Sequence, residues 1–161
     1  GGTSAGANCE GGGGIARAPA AYIRDLYKGS FSKRFDTLLV GSLGYRTPTV
    51  LAAFVAAAYP GRSFRRYLDL GCGTGVSGEA FAALLAEGAV SVGVDLSEDM
   101  LHTAEAARPG LYQRLVCSDI ETYHEHPSRW GRAGSGADPE PHDLVTCCDT
   151  FCYLGDLAPA L

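Results

Sequence analysis

The sequence lacks the features of several protein classes. It has no apolar run near the roughly 20 residues that cross a bilayer; the longest, residues 50–59, is about one core helix. It has no excess of basic residues, because 13 Lys and Arg against 18 Asp and Glu give a net charge of −5. Its six cysteines form no CxxC pair and no regular spacing. We therefore expect no membrane span, no broad nucleic-acid surface, and a reducing compartment such as the cytoplasm.

The length of 161 residues, 46% of them hydrophobic, corresponds to one domain. Seven of the first fourteen residues are Gly, so residues 1–18 are predicted to be a disordered tail. The domain is then 19–161, with a helical lead-in at 19–60 and an alternating part at 65–161. No metal site is predicted, since His124 and His126 fit no standard zinc spacing with the cysteines.

Strand and helix patterns alternate from residue 65 onward. Strands are predicted at 67–70, 89–95, 111–117 and 143–148, and helices at 76–87 and 97–107. This alternation predicts an α/β fold with a parallel sheet and helices on both faces.

A glycine-rich loop is the strongest functional signal. Gly71, Gly73 and Gly75 lie between the first strand and the next helix. Alternate glycines let the backbone turn sharply and let a ligand approach bare main chain. Asp95 ends the second strand twenty residues later, where a carboxylate can accept hydrogen bonds from both ribose hydroxyls. The pattern therefore predicts binding of a nucleoside-containing cofactor.

The third glycine position distinguishes between cofactors. Val76 stands where the dinucleotide fingerprint has its last Gly, and no Lys follows the loop as in a phosphate-binding P-loop. A nicotinamide-dependent oxidoreductase is kept as a minor alternative.

Four segments, in order, resemble the motifs of the class I S-adenosylmethionine-dependent methyltransferases. They are residues 69–75, residues 93–101, residues 117–120 and residues 143–149. The lead-in at 35–46 is similar to bacterial-type members often associated with tetratricopeptide repeats. The resemblance implies a Rossmann-like fold and S-adenosylmethionine as cofactor.

The resemblance also implies a set of cofactor-binding residues. They are Asp69 and the Gly71-Cys72-Gly73 backbone beside the methionine portion, with Gly75 closing the loop; Asp95 on the ribose; Leu96 and Met100 near the adenine; Asp119, with Ile120, at the adenine amino group; and Asp149 after strand four. Met100 could equally be a core contact, Asp119 a turn or cap residue, and Asp149 could face substrate or cap a turn. Tyr27, Tyr45 and Arg46 could reach over the cofactor or serve packing and surface ion pairs.

The family has seven strands in the order 3-2-1-4-5-7-6, and nothing here accounts for strands 5–7. We therefore expect a partial domain whose fourth strand forms a sheet edge and which has little turnover alone. A non-catalytic module that binds S-adenosylmethionine, or a scaffold, is the main alternative. The sequence names neither the acceptor, whether small molecule or protein, nor a catalytic base.

Overall fold

The computed structural model describes residues 17–123 and 141–155. Before the sheet lie helices α1 (Ala20–Leu26), α2 (Ser30–Asp36), which continues into a π-helical turn (Thr37–Ser42), and α3 (Thr47–Ala58). The strands are β1 (Phe64–Leu70), β2 (Leu85–Asp95), β3 (Arg114–Cys117) and β4 (Leu144–Thr146). Helix α4 (Val76–Phe81) follows β1, α5 (Glu98–Ala107) follows β2, and a 3-10 turn (Phe151–Tyr153) follows β4.

The four strands form one sheet in the order β3-β2-β1-β4, and all neighbouring strands are parallel. Leu68 at the centre of β1 lies opposite Val92 of β2 and Val145 of β4. The predicted parallel α/β arrangement is therefore confirmed. Among the described strands β4 forms an edge of the sheet, as expected, and Val145 is half exposed there.

The two sheet faces carry different core clusters. Alternation along β1 sends Tyr67 to one face and Leu68 and Leu70 to the other. The Tyr67 cluster receives side chains from three helices: Ala52 of α3, Phe81 of α4 and Leu101 of α5. The second cluster is formed by Leu68, Leu70, Val92, Val94, Val116 and Tyr123.

Helix α4 is shorter than the sequence pattern predicts. The prediction extended to residue 87, but α4 ends at Phe81 and a 3-10 turn (Ala82–Leu84) connects it to β2. The reason is long-range pairing, because Leu85 pairs with Phe64 and the register shifts before Arg66 pairs with Val90. Strand β2 is correspondingly longer than predicted, while β3 and β4 are shorter.

The last two residues of the predicted N-terminal tail contact distant parts of the chain. Arg17 and Ala18 were assigned to the tail, but Ala18 N donates to the Tyr153 carbonyl at 3.2 Å and Arg17 forms ion pairs. Long-range contacts therefore fix these two residues, and the rest of the predicted tail lies outside the described residues. So do His124 and His126.

No single helix in the described ranges is long and apolar enough to cross a bilayer. Only the pair Ser30–Ser42 and Thr47–Ala58 satisfies length and composition together, and the two helices are bent by 68° at their junction.

Candidate cofactor site

The candidate residues lie in loops at the carboxyl end of the sheet. Asp119 follows β3, Asp95 ends β2, Gly71 follows β1 and Asp149 follows β4. The strand order therefore arranges them as a row, which spans about 14 Å at the usual spacing of parallel strands. Open α/β sheets bind ligands at this edge, beside the strand where the order reverses.

A cavity of about 330 Å³ lies along this row. Eight of the eleven predicted site residues line it: Gly71, Gly73, Asp95, Leu96, Met100, Asp119, Ile120 and Asp149. The volume is within the range of small-molecule and cofactor sites, which are mostly apolar with a few placed polar groups.

The loop after β1 uses its glycines for close approach. Gly71 has φ 73° and Gly73 has φ 55°, both in the left-handed region. A Cβ on Gly71 would overlap the Thr150 side chain, and a Cβ on Gly73 would lie 3.4 Å from Met100 Cε. The Gly71 and Cys72 amides both donate to the Val94 carbonyl, at 2.8 and 3.0 Å. The loop is therefore fixed to the end of β2 and presents main chain to the cavity.

Asp95 connects β2 to the glycine loop. Its Oδ2 accepts a hydrogen bond from Gly73 N at 2.9 Å, and its Oδ1 accepts one from Ser97 N at 2.8 Å. Burial raises the pKa of Asp95 above its ordinary value of 3.8, against the opposing effect of these amide donors. A carboxylate has about four acceptor positions, so Asp95 can still accept from a ligand hydroxyl.

Helix α5 places the apolar part of the wall. Ser97 is its N-cap and accepts a hydrogen bond from Met100 N, and Glu98 and Asp99 occupy its first turn, where acidic side chains are favourable. Met100 is 2% exposed and contacts the cavity from this turn. Met100 is therefore both a core residue and a residue of the cavity lining, so the two interpretations that the sequence left open are compatible.

Asp69, Cys72 and Gly75 do not line the cavity, although the resemblance implied Asp69 and the Cys72 backbone beside the methionine portion and Gly75 in the same loop. The Asp69 carboxylate is fully buried and accepts hydrogen bonds from three hydroxyls, those of Ser77, Tyr112 and Thr146. Because residues alternate along β1, Asp69 points to the helix-covered face rather than toward the cavity.

The other two residues of this group, Cys72 and Gly75, contact residues outside the cavity lining. The Cys72 side chain belongs to the Tyr67 cluster, and burial raises the pKa of its thiol well above 9.0. Gly75 has φ 91° and precedes α4, where a Cβ would lie 3.1 Å from Arg108 Cδ. Neither residue contributes to the lining of the cavity.

Residues of the helical lead-in form part of the cavity wall, including two whose role the sequence did not decide, Tyr27 and Tyr45. Tyr27, Phe35 and Tyr45 line it, together with Arg17 and Tyr153, which the sequence did not single out. The Tyr27 and Tyr153 hydroxyls are hydrogen-bonded. The predicted helical lead-in at 19–60 and the motif resemblance at 35–46 were the sequence signals for this part of the wall. The exposed Arg46 does not line the cavity.

Tyr45 and Asp149 form a polar pair at the β4 end of the row. Burial, followed by a hydrogen bond to Asp149, raises the pKa of the Tyr45 hydroxyl above 10.0. Asp149 has φ 53°, the one left-handed non-glycine conformation in residues 17–123 and 141–155. Asp tolerates this conformation better than most residues do. Strained backbone conformations of this kind cluster at functional sites.

The residues present fit a nucleoside. Leu96, Met100 and Ile120 can pack on a base between the Asp119 and Asp95 carboxylates, and Gly73 leaves the room that a side chain would fill. Within the described ranges no group of three His, Cys, Asp or Glu side chains could hold a metal ion.

Sequence comparisons place this chain beside methyltransferases. The family described as "Methyltransferase domain" matches residues 68–161. The ubiquinone biosynthesis O-methyltransferase of Methylococcus capsulatus is 34% identical over 94 residues, covering 58% of this chain and 35% of that protein. Its counterpart in Vibrio atlanticus is 30% identical over 94 residues, covering 57% of this chain and 34% of that protein. The chain thus spans about a third of these relatives.

Structural comparisons agree with this placement. An S-adenosylmethionine-dependent methyltransferase from Clostridium acetobutylicum is 28% identical with a TM-score of 0.53, covering 81% of this chain and 48% of that one. The magnesium protoporphyrin IX methyltransferase from Synechocystis, solved with bound SAH, is 19% identical with a TM-score of 0.53, covering 82% and 59%. This second likeness shows the shared fold alone.

Proposed function

The chain belongs to the methyltransferase domain family, and on that premise we propose that it binds S-adenosylmethionine and takes part in methyl transfer from it. The observation that carries the proposal is Asp95, which lines the cavity at the end of β2 and also fixes Gly73. A non-catalytic S-adenosylmethionine-binding module is the second candidate, and it shares the cofactor site.

Successive residues along the row would bind successive parts of the cofactor, from the adenine to the methionine portion. Asp119 would accept from the adenine amino group, Asp95 would accept from the ribose hydroxyls, and the loop at Gly71 and Gly73 would lie beside the methionine portion. When bound, the sulfonium supplies an already activated methyl group. The main task of the protein is then to position the acceptor in line with it and exclude water.

Substituting Gly73 tests the cofactor site. Gly73→Val is expected to abolish measurable S-adenosylhomocysteine binding by calorimetry, because the side chain would occupy cavity space beside Met100. A β-branched residue at positive φ also costs about 1–2 kcal/mol of backbone strain. Gly110→Val is the matched control, since Gly110 has φ 74° and no neighbour within 4 Å of its added Cβ. Equal loss of binding in both variants would show that strain, and not the cavity, is responsible.

The acceptor proposed for this site carries a hydroxyl group on an apolar or aromatic body. The names of the relatives indicate transfer to oxygen, and Tyr27, Phe35 and Tyr153 provide an aromatic wall. Asp149 is the residue proposed to take the hydroxyl proton, and Tyr45 lies on the same cavity wall. A general base is needed because a neutral hydroxyl must lose its proton during attack.

Asp149→Asn tests this role. Turnover with a panel of phenols and catechols, measured as S-adenosylhomocysteine production in a form of the protein that carries the whole methyltransferase domain, is expected to fall by about 10²–10⁴-fold, the usual contribution of a general base. S-adenosylhomocysteine affinity should stay unchanged. Asp25→Asn is the control, because Asp25 pairs with Lys28 on the surface. A variant that loses cofactor affinity and turnover together would place Asp149 in the cofactor site instead.

A further inference from the structure

Helix α2 and its π-helical turn, residues 30–42, form one side of the cavity and are called the lid segment below. Phe35 and Leu39 of this segment line the cavity. Within the segment only Ser32 is buried. Because so few of its side chains are buried, core packing contributes little to its position, and segments of this kind open at a low free-energy cost.

A glycine stands near each end of the lid segment. Gly29 precedes it with φ 62°, and Gly44 follows it with φ 65°. An added Cβ at either position would have no heavy atom within 4 Å apart from its chain neighbours, so the backbone is free to rotate there. Hinges are a few residues at the ends of a moving element, and they are often small. The lid segment is therefore built to move as one unit.

Asp36 joins the lid segment to the glycine-rich loop. Its Oδ1 accepts a hydrogen bond from Thr74 Oγ1, and its Oδ2 accepts one from Arg108 Nη1 at 2.7 Å. The same Nη1 donates to the Thr74 carbonyl at 3.0 Å. Thr74 lies between Gly73 and Gly75. The latch, defined as Asp36, Thr74 and Arg108, thus connects the lid segment to the loop proposed to lie beside the methionine portion.

Partial burial strengthens the latch relative to a surface ion pair. Thr74 is 1% exposed, and the side chains of Arg108 and Asp36 are 16% and 34% exposed. Hydrogen bonds in which one partner is charged are stronger than neutral ones, and salt screens partly buried pairs less than exposed pairs. Glu79 of α4 accepts from Arg108 Nε at 2.7 Å, and its side chain is 64% exposed. Arg108 therefore has one carboxylate partner on the lid segment and another outside it.

The latch residues do not line the cavity, so they act on a bound molecule only through the lid segment. An interaction that the ligand does not touch stabilises the closed lid equally with and without that ligand. It therefore has no differential effect on the two states and leaves the binding equilibrium unchanged. What it changes is the frequency of opening, on which both entry and exit depend.

We propose that Asp36 is a positioning residue that, through Thr74 and Arg108, holds the lid segment closed and thereby sets the rates at which S-adenosylmethionine enters and S-adenosylhomocysteine leaves. This inference rests on the proposed cofactor function. Product release or lid opening limits turnover in many enzymes, so the latch gives the helical lead-in a part in turnover.

The test is a stopped-flow comparison of wild type, Asp36→Ala and Thr74→Val. Binding of S-adenosylhomocysteine is followed by tyrosine fluorescence, since Tyr27 and Tyr45 line the cavity, and the concentration dependence of the observed rate gives both rate constants. In Asp36→Ala the association and dissociation rate constants are expected to rise together by about 10-fold, because hydrogen bonds to a charged group are lost. Thr74→Val, which removes one donor, should show a smaller rise of both. The dissociation constant should stay within about twofold of wild type in both variants.

Two further variants serve as controls. Glu79→Gln changes the other carboxylate partner of Arg108 and leaves Asp36 in place, so both rate constants should keep their wild-type values. The double variant Asp36→Ala/Thr74→Val should match Asp36→Ala, because the Thr74 hydroxyl acts through the Asp36 carboxylate.

The pattern of rate constants separates a latch from a purely structural role. A distorted loop or a partly unfolded variant raises the dissociation constant, whereas an opened latch leaves it unchanged. Unaltered rate constants in both Asp36→Ala and Thr74→Val, or faster dissociation without faster association, would overturn the proposal and leave the cofactor function standing. If wild type does not bind S-adenosylhomocysteine, the proposed cofactor function fails, and this inference fails with it.

Discussion

Asp69→Ala is expected to lower the free energy of unfolding by about 3 to 5 kcal/mol, measured by urea denaturation. The substitution leaves the buried hydroxyls of Ser77, Tyr112 and Thr146 without their common acceptor. Each unsatisfied buried group costs about 1–3 kcal/mol, and partial rearrangement reduces the sum. Tyr67 is affected as well, because its hydroxyl is hydrogen-bonded to Thr146 at 2.8 Å.

Two comparisons make this result specific. Asp25→Ala removes an exposed carboxylate and should change the free energy of unfolding by less than about 0.5 kcal/mol. Asp69→Asn keeps the side-chain volume and should be destabilised less than Asp69→Ala. A stability change below 1 kcal/mol in Asp69→Ala, with binding of S-adenosylhomocysteine lost, would return Asp69 to the cofactor site that the sequence resemblance implied.

The pH dependence of stability gives a second measure of Asp69. Burial raises its folded-state pKa above 3.8, although hydrogen bonds from Ser77, Tyr112 and Thr146 act in the opposite direction. The native state therefore binds this proton more tightly than the unfolded state, so the contribution is complete below the unfolded pKa and is lost as pH rises through the folded pKa. The stability of wild type relative to Asp69→Asn should accordingly fall as pH rises from about 4.

Asp95→Ala is expected to weaken S-adenosylhomocysteine binding by about 10- to 150-fold, equivalent to 1.5–3 kcal/mol for hydrogen bonds to a charged group. The carboxylate would contact the ribose directly and also holds Gly73 N in place. Asp95→Asn retains one acceptor oxygen and should lose less affinity than Asp95→Ala.

Stability measurements separate the two roles of Asp95. Because its carboxylate also accepts from Ser97 N, each variant should be checked by urea denaturation before titration. A folded Asp95→Ala variant that binds as tightly as wild type would show that the ribose assignment is wrong.

Local patterns predicted the centre of this fold because the chain itself encodes them. The glycine spacing after β1 and the acid at the end of β2 predicted that Gly73 and Asp95 belong to one ligand site, and both residues line the cavity. The alternation of elements predicted parallel strands, and the family resemblance implied the order β3-β2-β1-β4.

Long-range contacts account for what the sequence did not predict. Arg17 pairs with a residue 102 positions away, and nothing in its glycine-rich surroundings indicates that partner. Helix α4 ended early because Leu85 pairs with β1, which no local helix signal reports. The direction of Asp69 was available in principle, since strand alternation places it on the face opposite Leu68 and Leu70; the motif resemblance outweighed that signal.

The most direct test of the central claim is calorimetric titration of the protein with S-adenosylhomocysteine and NAD side by side. Saturable binding of one S-adenosylhomocysteine per chain, with no heat from NAD, is the predicted result. It follows from the cavity beside Gly73 and Asp95 and from Val76 at the position where a dinucleotide fingerprint has glycine. Binding of NAD without S-adenosylhomocysteine would contradict the assignment, and binding of neither would remove the cofactor function from this site.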